Sequence, residues 1–331
     1  SNKGIEFNVD ALIVNKKDFS LSASFNIGFN KNRVEKFKNG ESNYKTYSSK
    51  WNGNSAAPFD DYIIREGEAV GQMYGYITGG MYTFDDFDYI GTGTYPYRLK
   101  GDTDGSKTEA AASLIGAKYF GPGSLKLVDK DGNIATSTDA KTVIGNANPD
   151  LIGGFNLTAR YKGFDLSAFF NFSIGNDVYN ANKIDNSCYS GSRKYNNLVE
   201  EMKNRFTYID PATGYLAYND PVRLAEINKN ATIWSPYMTT AVLHSWAVED
   251  GSFLRFNNLT LGYTFPKRWV KKLGLTNLRI YGTVYNVCVI TGYSGFDPEV
   301  STRNSTAMTP GVDYSAYPKS RSFIGGVNVS F

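Results

Sequence analysis

The stretch from Leu151 to Asn176, LIGGFNLTARYKGFDLSAFFNFSIGN, restricts the fold of this chain more than any other. Taken two residues at a time, Phe155, Leu157, Ala159 and Tyr161 fall on one side, and Asn156, Thr158 and Arg160 on the other. After Lys162-Gly163 the pattern resumes. Phe164, Leu166, Ala168, Phe170, Phe172 and Ile174 oppose Asp165, Ser167, Phe169, Asn171 and Ser173. Successive side chains of a strand point to opposite faces, so strict alternation means one oily face and one wet face. Two such runs joined by a two-residue turn containing Gly form an antiparallel hairpin. Each run has roughly 10–13 residues, well beyond the ~5–6 usual in globular sheets. Tilted strands need ~9–11 residues to cross a bilayer, so length and alternation together predict an all-β, transmembrane antiparallel β-barrel. Leu166, Ala168, Phe170 and Phe172 should then face hydrocarbon, with Ser167, Asn171 and Ser173 facing the lumen. Tyr161 and Phe164, beside the turn, belong in the aromatic girdle at the headgroups. Phe169 is the awkward member, a large apolar ring on the wet side that needs a contact within the lumen.

The same alternation recurs along the chain. Ile5, Phe7, Val9, Ala11 and Ile13 line one face of the first segment, and Phe19, Leu21, Ala23, Phe25, Ile27 and Phe29 line one face of the second. Spanning strands are expected near 4–14, 18–30, 151–161, 163–175, 251–265, 277–290 and 322–331. Between them lie turns at 15–17, 162–163 and 266–276, and long irregular excursions at 31–150, 177–249 and 291–320. The excursions hold turn signals such as Asn52-Gly53 and Asp131-Gly132, and one helical spacing, Leu198, Met202 and Phe206, within 196–206. Short turns on one side and very long loops on the other are the asymmetry of outer-membrane barrels. About seven strands cannot close a barrel alone, and the chain opens almost directly into a strand. It therefore reads as the back part of a longer polypeptide.

Composition agrees. The 24 Tyr, 21 Phe and 33 Gly favour β structure with turn-rich loops. A mean hydropathy of −0.37, with no 18-residue apolar run, excludes a helical span. It does not exclude a barrel, half of whose strand residues are polar. The net charge of +3 comes from scattered residues, with no basic stripe for nucleic acid. Cys188 and Cys288 have no metal-ligand spacing, and whether they are bonded is open. His244, the sole histidine, has no partner for catalysis or metal binding and is read as structural. No nucleophile elbow, zinc-protease, phosphate-loop or dinucleotide fingerprint occurs, so the chain is read as a non-enzyme. Asp85, Asp86 and Asp88 are read as a solvated loop or an ion contact rather than a carboxylate pair for glycoside chemistry.

Several segments, in order, resemble the SusC/RagA-like TonB-dependent outer-membrane transporters: NKGIEFNVDALIVNKKDFSLSASFNIGFNKNRV (2–34), REGEAVGQMYGYITGGMY (65–82), GSLKLVDKDGN, and TVIGNANPDLIGGFNLTARYKGFDLSAFFNFSIGNDVYN. VEDGSFLRFNNLTLGYTFPK (248–267), LRIYGTVYNVCVITGYSGFDPEV (278–300) and the terminal FIGGVNVSF follow. The resemblance implies the C-terminal part of a plugged barrel of about 22 strands in the outer membrane of a Gram-negative bacterium. It implies import of large solutes, oligosaccharides or peptides, and a SusD-like lipoprotein as partner. Energy would come from the TonB–ExbB–ExbD complex, reached through an N-terminal part, with the plug and the remaining barrel strands, outside this chain. Phe331 matches the family's terminal aromatic. Where the family often carries a calcium-loop-like segment, this chain has Asp129, Asp131 and Asn133, without the second glycine. A calcium site at Asp129, Asp131, Asn133 and Asp139 is one reading and a plain Asp-Gly turn the favoured one.

Tyr74, Tyr76, Tyr82, Tyr189, Trp234 and Tyr237 lie in the excursions and are the aromatic candidates for stacking on a solute, with packing within the loops the commoner role for any one of them. Arg160 and Arg255 fall on the lumen face, to line the solute path or to pair with plug carboxylates. The rival reading is a secreted or surface carbohydrate-binding β-sandwich module, which would share the aromatics but not the strand length.

Overall fold

A computed structural model describes residues 1–38, 40, 42–51, 60–189, 197–302 and 307–331. The Asn52-Gly53 turn and Asn196 lie outside the described residues. The alternating segments form one seven-stranded antiparallel sheet in which every strand pairs with its neighbours in sequence. Its strands are Asn2–Asn15, Phe19–Asn32, Leu151–Tyr161, Phe164–Ile174, Phe253–Thr264, Asn277–Thr291 and Ser322–Ser330.

The register explains why alternation within each strand becomes one continuous surface. Val9 lies opposite Phe25, Phe25 opposite Phe155, Phe155 opposite Phe170, and Phe170 opposite Phe256. One row down, Ala11, Ala23, Leu157, Ala168, Leu259, Val284 and Phe323 follow one another across all seven strands. Stacked rings lock the upper row, with Phe170 4.4 Å from Phe155 and 4.2 Å from Phe256. Such cross-strand aromatic pairs stabilise a sheet by up to ~1 kcal/mol each. Bulges preserve the faces where the count slips. Phe169 pairs with Asn258 but Phe170 with Phe256, so Asn257 is the extra residue and both Phe256 and Leu259 stay on the apolar side. In the first strand the register steps from Leu12 to Val14, so Val14, not Ile13, takes the apolar place opposite Leu21.

The short turns fit the tight geometry. Lys162 adopts left-handed backbone with φ 52°. A side chain at Gly163 would meet the Thr264 carbonyl oxygen at 2.6 Å, so this turn closes only against a glycine. The third connection holds a short helix, Lys267–Val270.

At the other end the three excursions pack into a body of their own. It contains a four-stranded sheet, a three-stranded sheet and two two-stranded ribbons among the described residues. Its larger core gathers Tyr82, Phe87, Phe120, Phe206, Tyr208 and Tyr218, and a second gathers Trp51, Tyr62, Met73 and Tyr179. A helix at Ser106–Ile115 comes from the Ala-rich run SKTEAAASLI, bounded by Gly105 and Gly116, both left-handed. The helical spacing at 196–206 yields only a 3-10 turn, Glu200–Asn204. Phe206 instead runs extended, its N–H donating to the Ile233 carbonyl, while Met202 and Phe206 reach the core from there.

Candidate solute-binding site

The apolar face of the sheet is bare. Ile5, Val9, Leu261, Val327 and Phe323 are more than half exposed, and no second layer of the described chain covers them. The opposite face is polar and meets the excursion body at its long-loop end. Between the two lies a cavity of about 710 Å³. Glu6, Asn8, Asn26, Ile152, Phe169 and Asn171 line it from the strands, and Pro149, Pro298 and Glu299 from the excursions. Two smaller hollows, about 190 and 270 Å³, continue down the same face past Asp10, Ser24 and Asn156. The whole is an open groove along the first three strands, amide-rich and acidic, with an apolar step where Ile152 and Phe169 stand. Phe169 lies over Gly154, where a Cβ would make ordinary contact with Phe169 Cε2 at 3.4 Å but would crowd the Phe170 carbonyl oxygen at 2.8 Å.

Two arginines on this face are paired by neighbouring strands and loops. Arg279 donates to Asp165 at 3.0 and 2.5 Å. Arg255 is only 2 % exposed. It donates to Asn286 at 2.9 Å and to Asp297 at 2.6 Å, and its Nε lies 3.4 Å from Glu299. Lys319 pairs with Glu299 in turn. Arg255 is thus pinned to carboxylates in the third excursion of its own chain, where the sequence left open the solute path or carboxylates of a plug. Arg160 remains exposed on the wet face near the short turn.

None of the six candidate aromatics lines the cavity. Tyr76, Tyr82 and Trp234 are 0, 2 and 3 % exposed and serve packing: Tyr82 against Phe87 and Phe120, Trp234 edge-on to His244 and Trp246. Rings buried this way cannot stack on a solute. Tyr74 is half-buried, with Arg65 and Lys141 over its ring. Tyr189 and Tyr237 are the pair brought together, edge-to-face at 5.6 Å, and Tyr119 extends the row from Tyr237 at 5.6 Å. The groove residues Glu6, Asn8, Asp10, Asn26 and Asn171 were legible as wet-face residues but carried no motif. The signal that could have singled them out is a charge, Glu6 or Asp10, recurring on the lumen side of a spanning strand.

The oxygens of the Asp129 segment are already engaged. Asp129 Oδ1 accepts the N–H groups of Asp131 and Asn133 at 2.9 and 2.8 Å, and Oδ2 accepts Asn133 Nδ2 at 3.0 Å. These bonds, with the Asn133 side chain first, hold the Asp129 carboxyl below its ordinary range. Asp131 pairs with Lys130, and Asp139 sits apart in the 3-10 turn Thr138–Ala140. The four residues form an Asp-Gly turn and its neighbour, not a converging ligand set, and no group of three or more acidic, His or Cys residues poised for a metal occurs among the described residues. Asp86 contacts Lys126 at 2.7 Å and caps its own turn through Thr83. His244 is buried, 2.7 Å from the Thr78 hydroxyl and stacked on Trp246, and burial pushes its pKa down to about 3. Cys188 and Cys288 are not joined in a disulfide.

No family model matches the chain. Over its full length it is 31% identical to TonB-dependent receptor P3 of Formosa agariphila and 25% identical to TonB-dependent receptor SusC of Bacteroides thetaiotaomicron. It spans 28% and 26% of those two proteins. Among solved structures, the RagAB peptide importer in its open-open state superposes on the whole chain with a TM-score of 0.67 at 21% identity, and the chain covers 28% of it. The closed-closed state gives 0.65 at 21% identity and 29% coverage. The chain therefore has homologues among the SusC-type TonB-dependent receptors along its entire length, and its fold is that of a portion of a RagA-type β-barrel.

Proposed function

We propose that this chain is the C-terminal part of the barrel of an outer-membrane, TonB-dependent importer of large solutes, oligosaccharides or peptides. It works by gated passage and not by chemistry. The observation that carries this reading is the single apolar surface running across seven long strands, bare on the outside and backed by a wet, cavity-bearing face. In water so large an exposed apolar patch is a liability; in a bilayer it is the required outer wall. A carbohydrate-binding sandwich would cover that face with a second sheet. The first and last strands leave open edges among the described residues, which fits pairing with further strands of the same transporter. The excursions at 31–150, 177–249 and 291–320 face the cell exterior, where a SusD-like lipoprotein caps them. Coupling to TonB runs through the plug-bearing part.

The test is native purification of a tagged protein from bacterial outer membranes. Expected is a detergent-dependent, heat-modifiable complex that contains a plug-bearing polypeptide and a surface lipoprotein. A monodisperse particle of this chain alone, stable without detergent, would falsify the proposal.

A further inference from the structure

We infer that the third short turn, 266–276, is an interfacial anchor that holds anionic phospholipid headgroups of the periplasmic leaflet, an inference that rests on the importer reading above. Lys267, Arg268, Lys271 and Lys272 crowd this turn, which contains no Asp or Glu. The other two short turns add Lys16, Lys17 and Lys162, again without an acid. A run of like charge is commonly no more than a solvated face, but here apolar residues are set among the cations. Lys267–Val270 is helical and Lys271–Leu273 continues it as a 3-10 turn. Val270 is buried, and its carbonyl accepts the Leu275 N–H at 3.1 Å, which fixes the turn on the strand ends. Trp269 and Leu273, four residues apart, stand 49 and 71 % exposed. Cations on one part of a short helical segment and Trp and Leu on another make the pattern of a segment that lies in a bilayer interface.

The place of the turn in the wall says which surface it meets. It joins the fifth and sixth strands, each of which has both its neighbours within this chain, so it belongs to neither open edge. The apolar stripe of the outer face runs into it through Leu261, Tyr263 and Phe265. Tyr263 packs edge-on to Phe265 at 5.0 Å and lies 4.6 Å from Phe164 of the fourth strand. These rings stand on the lipid side of the sheet, away from a plug, at the level where aromatic residues mark the headgroups. One hairpin along, Tyr161 stands on the same outer face, and Lys162 Nζ lies 5.2 Å from the centre of its ring. Arg268 lies 5.8 Å over Trp269 in the same manner. Long cationic side chains that cover aromatic rings keep their charged heads in the polar layer while their stems meet the apolar one. Phosphate oxygens can then accept the ammonium and guanidinium N–H groups, while the acyl boundary takes Trp269 and Leu273. Zwitterionic lipids offer the same phosphate but bring a cation of their own, so lipids of net negative charge are preferred.

The experiment uses the complete transporter in nanodiscs, with a fluorophore carried on Leu273→Cys and no other reactive cysteine. A small fraction of phosphatidylglycerol or of phosphatidylcholine bears a quencher at headgroup level. Expected is at least about threefold stronger quenching by phosphatidylglycerol, falling to near equality when Lys267, Arg268, Lys271 and Lys272 are all replaced by Gln. Quenching by neither lipid overturns the inference, because the turn then stands clear of the bilayer. Equal quenching by both also overturns it, as does a preference that the assembled quadruple variant keeps. Should that variant fail to assemble, the labelled transporter with its charges intact is measured from low salt to about 0.5 M, where screening should remove the preference; a preference that survives overturns the inference. Failure of the importer reading is seen separately, on intact cells. A membrane-impermeant maleimide should leave Leu273→Cys unlabelled until the outer membrane is permeabilised, and labelling before that inverts the orientation and overturns that reading.

Discussion

In the sheet, Ile5, Phe7 and Phe323 stand 58, 56 and 75 % exposed, whereas in the body of long connections Trp51, Tyr62 and Tyr208 are fully buried. Both regions draw on the same apolar residues, and they use them in opposite directions. The sheet satisfies its backbone through neighbouring strands and leaves its oily side chains for an apolar solvent. The excursion body does what a water-soluble domain does, closing rings over rings, as Tyr208 does with Phe206, Tyr218 and Tyr119. Two solvents thus act on one chain, and the boundary runs along the rim where Leu151, Ile174 and Phe253 end their strands. The two regions should therefore respond separately to mutation.

The largest separation should come from Tyr208→Ala. The ring is fully buried and its hydroxyl donates to the Pro122 carbonyl at 2.9 Å. Truncating a buried aromatic to Ala costs about 3–5 kcal/mol. In the full-length transporter, proteases applied from outside should cut the excursions readily while the heat-modifiable barrel remains. Loss of the barrel as well would show that the two regions fold as one unit.

Next comes a pair of neighbours in one strand. Ala168 lies between Leu157 and Leu259 on the apolar row, and Ser167 between Thr158 and Thr260 on the wet side. An Arg on the lipid face near the midplane costs about 2–4 kcal/mol, whereas lumen positions tolerate charge. Ala168→Arg should strongly reduce assembled barrel in outer-membrane fractions, and Ser167→Arg only slightly. Equal losses, or a greater loss from Ser167→Arg, would mean that the faces are reversed or that the strand does not cross the membrane.

The same contrast explains what could be read in advance. Along the sheet each residue declares its face, because lipid lies on one side and water on the other and the strand alternates between them. Phe155, Leu166 and Leu261 needed no knowledge of their partners. What escaped was set by a partner: the bulge that replaces Ile13 with Val14 depends on how the second strand pairs, and Phe169 made sense only once the cavity it lines was in view. The excursion body is opaque for a further reason. Its contacts join distant residues, as Trp51 Nε1 donates to the Tyr179 hydroxyl 128 positions away, and no period marks such pairs. Whether Tyr76, Tyr82 and Trp234 pack within the loops or meet a ligand could not be told from sequence, because a core built this way has no local signature. Leu198, Met202 and Phe206 looked helical because core contacts from a 3-10 turn and an extended segment happen to fall at the same spacing. The helix at Ser106–Ile115 was not anticipated, although its alanines and flanking glycines are a local signal.

The smallest effect concerns pH, and it tests the excursion body through two buried groups that oppose each other. Burial pushes the His244 pKa from 6.5 down to about 3, so the folded body keeps this ring neutral while the unfolded chain protonates it. That contribution is intact above pH 6.5 and is lost as pH falls; by pH 5 it amounts to about 2 kcal/mol. Asp61 behaves oppositely. Desolvation, only partly offset by hydrogen bonds from Ser49, raises its pKa from 3.8 to about 6. Its contribution is present below the unfolded value and is lost as pH rises through 6, so acidification from pH 7 to 5 returns about 1 kcal/mol. The two shifts nearly cancel, and the wild-type excursions should change in protease susceptibility by less than about tenfold between pH 7 and 5. Asp61→Asn removes one arm and keeps the Ser49 contacts satisfiable, so the variant should lose stability steadily on acidification, by about 2 kcal/mol over the same range. The barrel, whose wall contains neither group, should show no such difference between the two proteins. A variant that tracks the wild type at every pH would mean that His244 and Asp61 are not buried in the folded body as the structure has them.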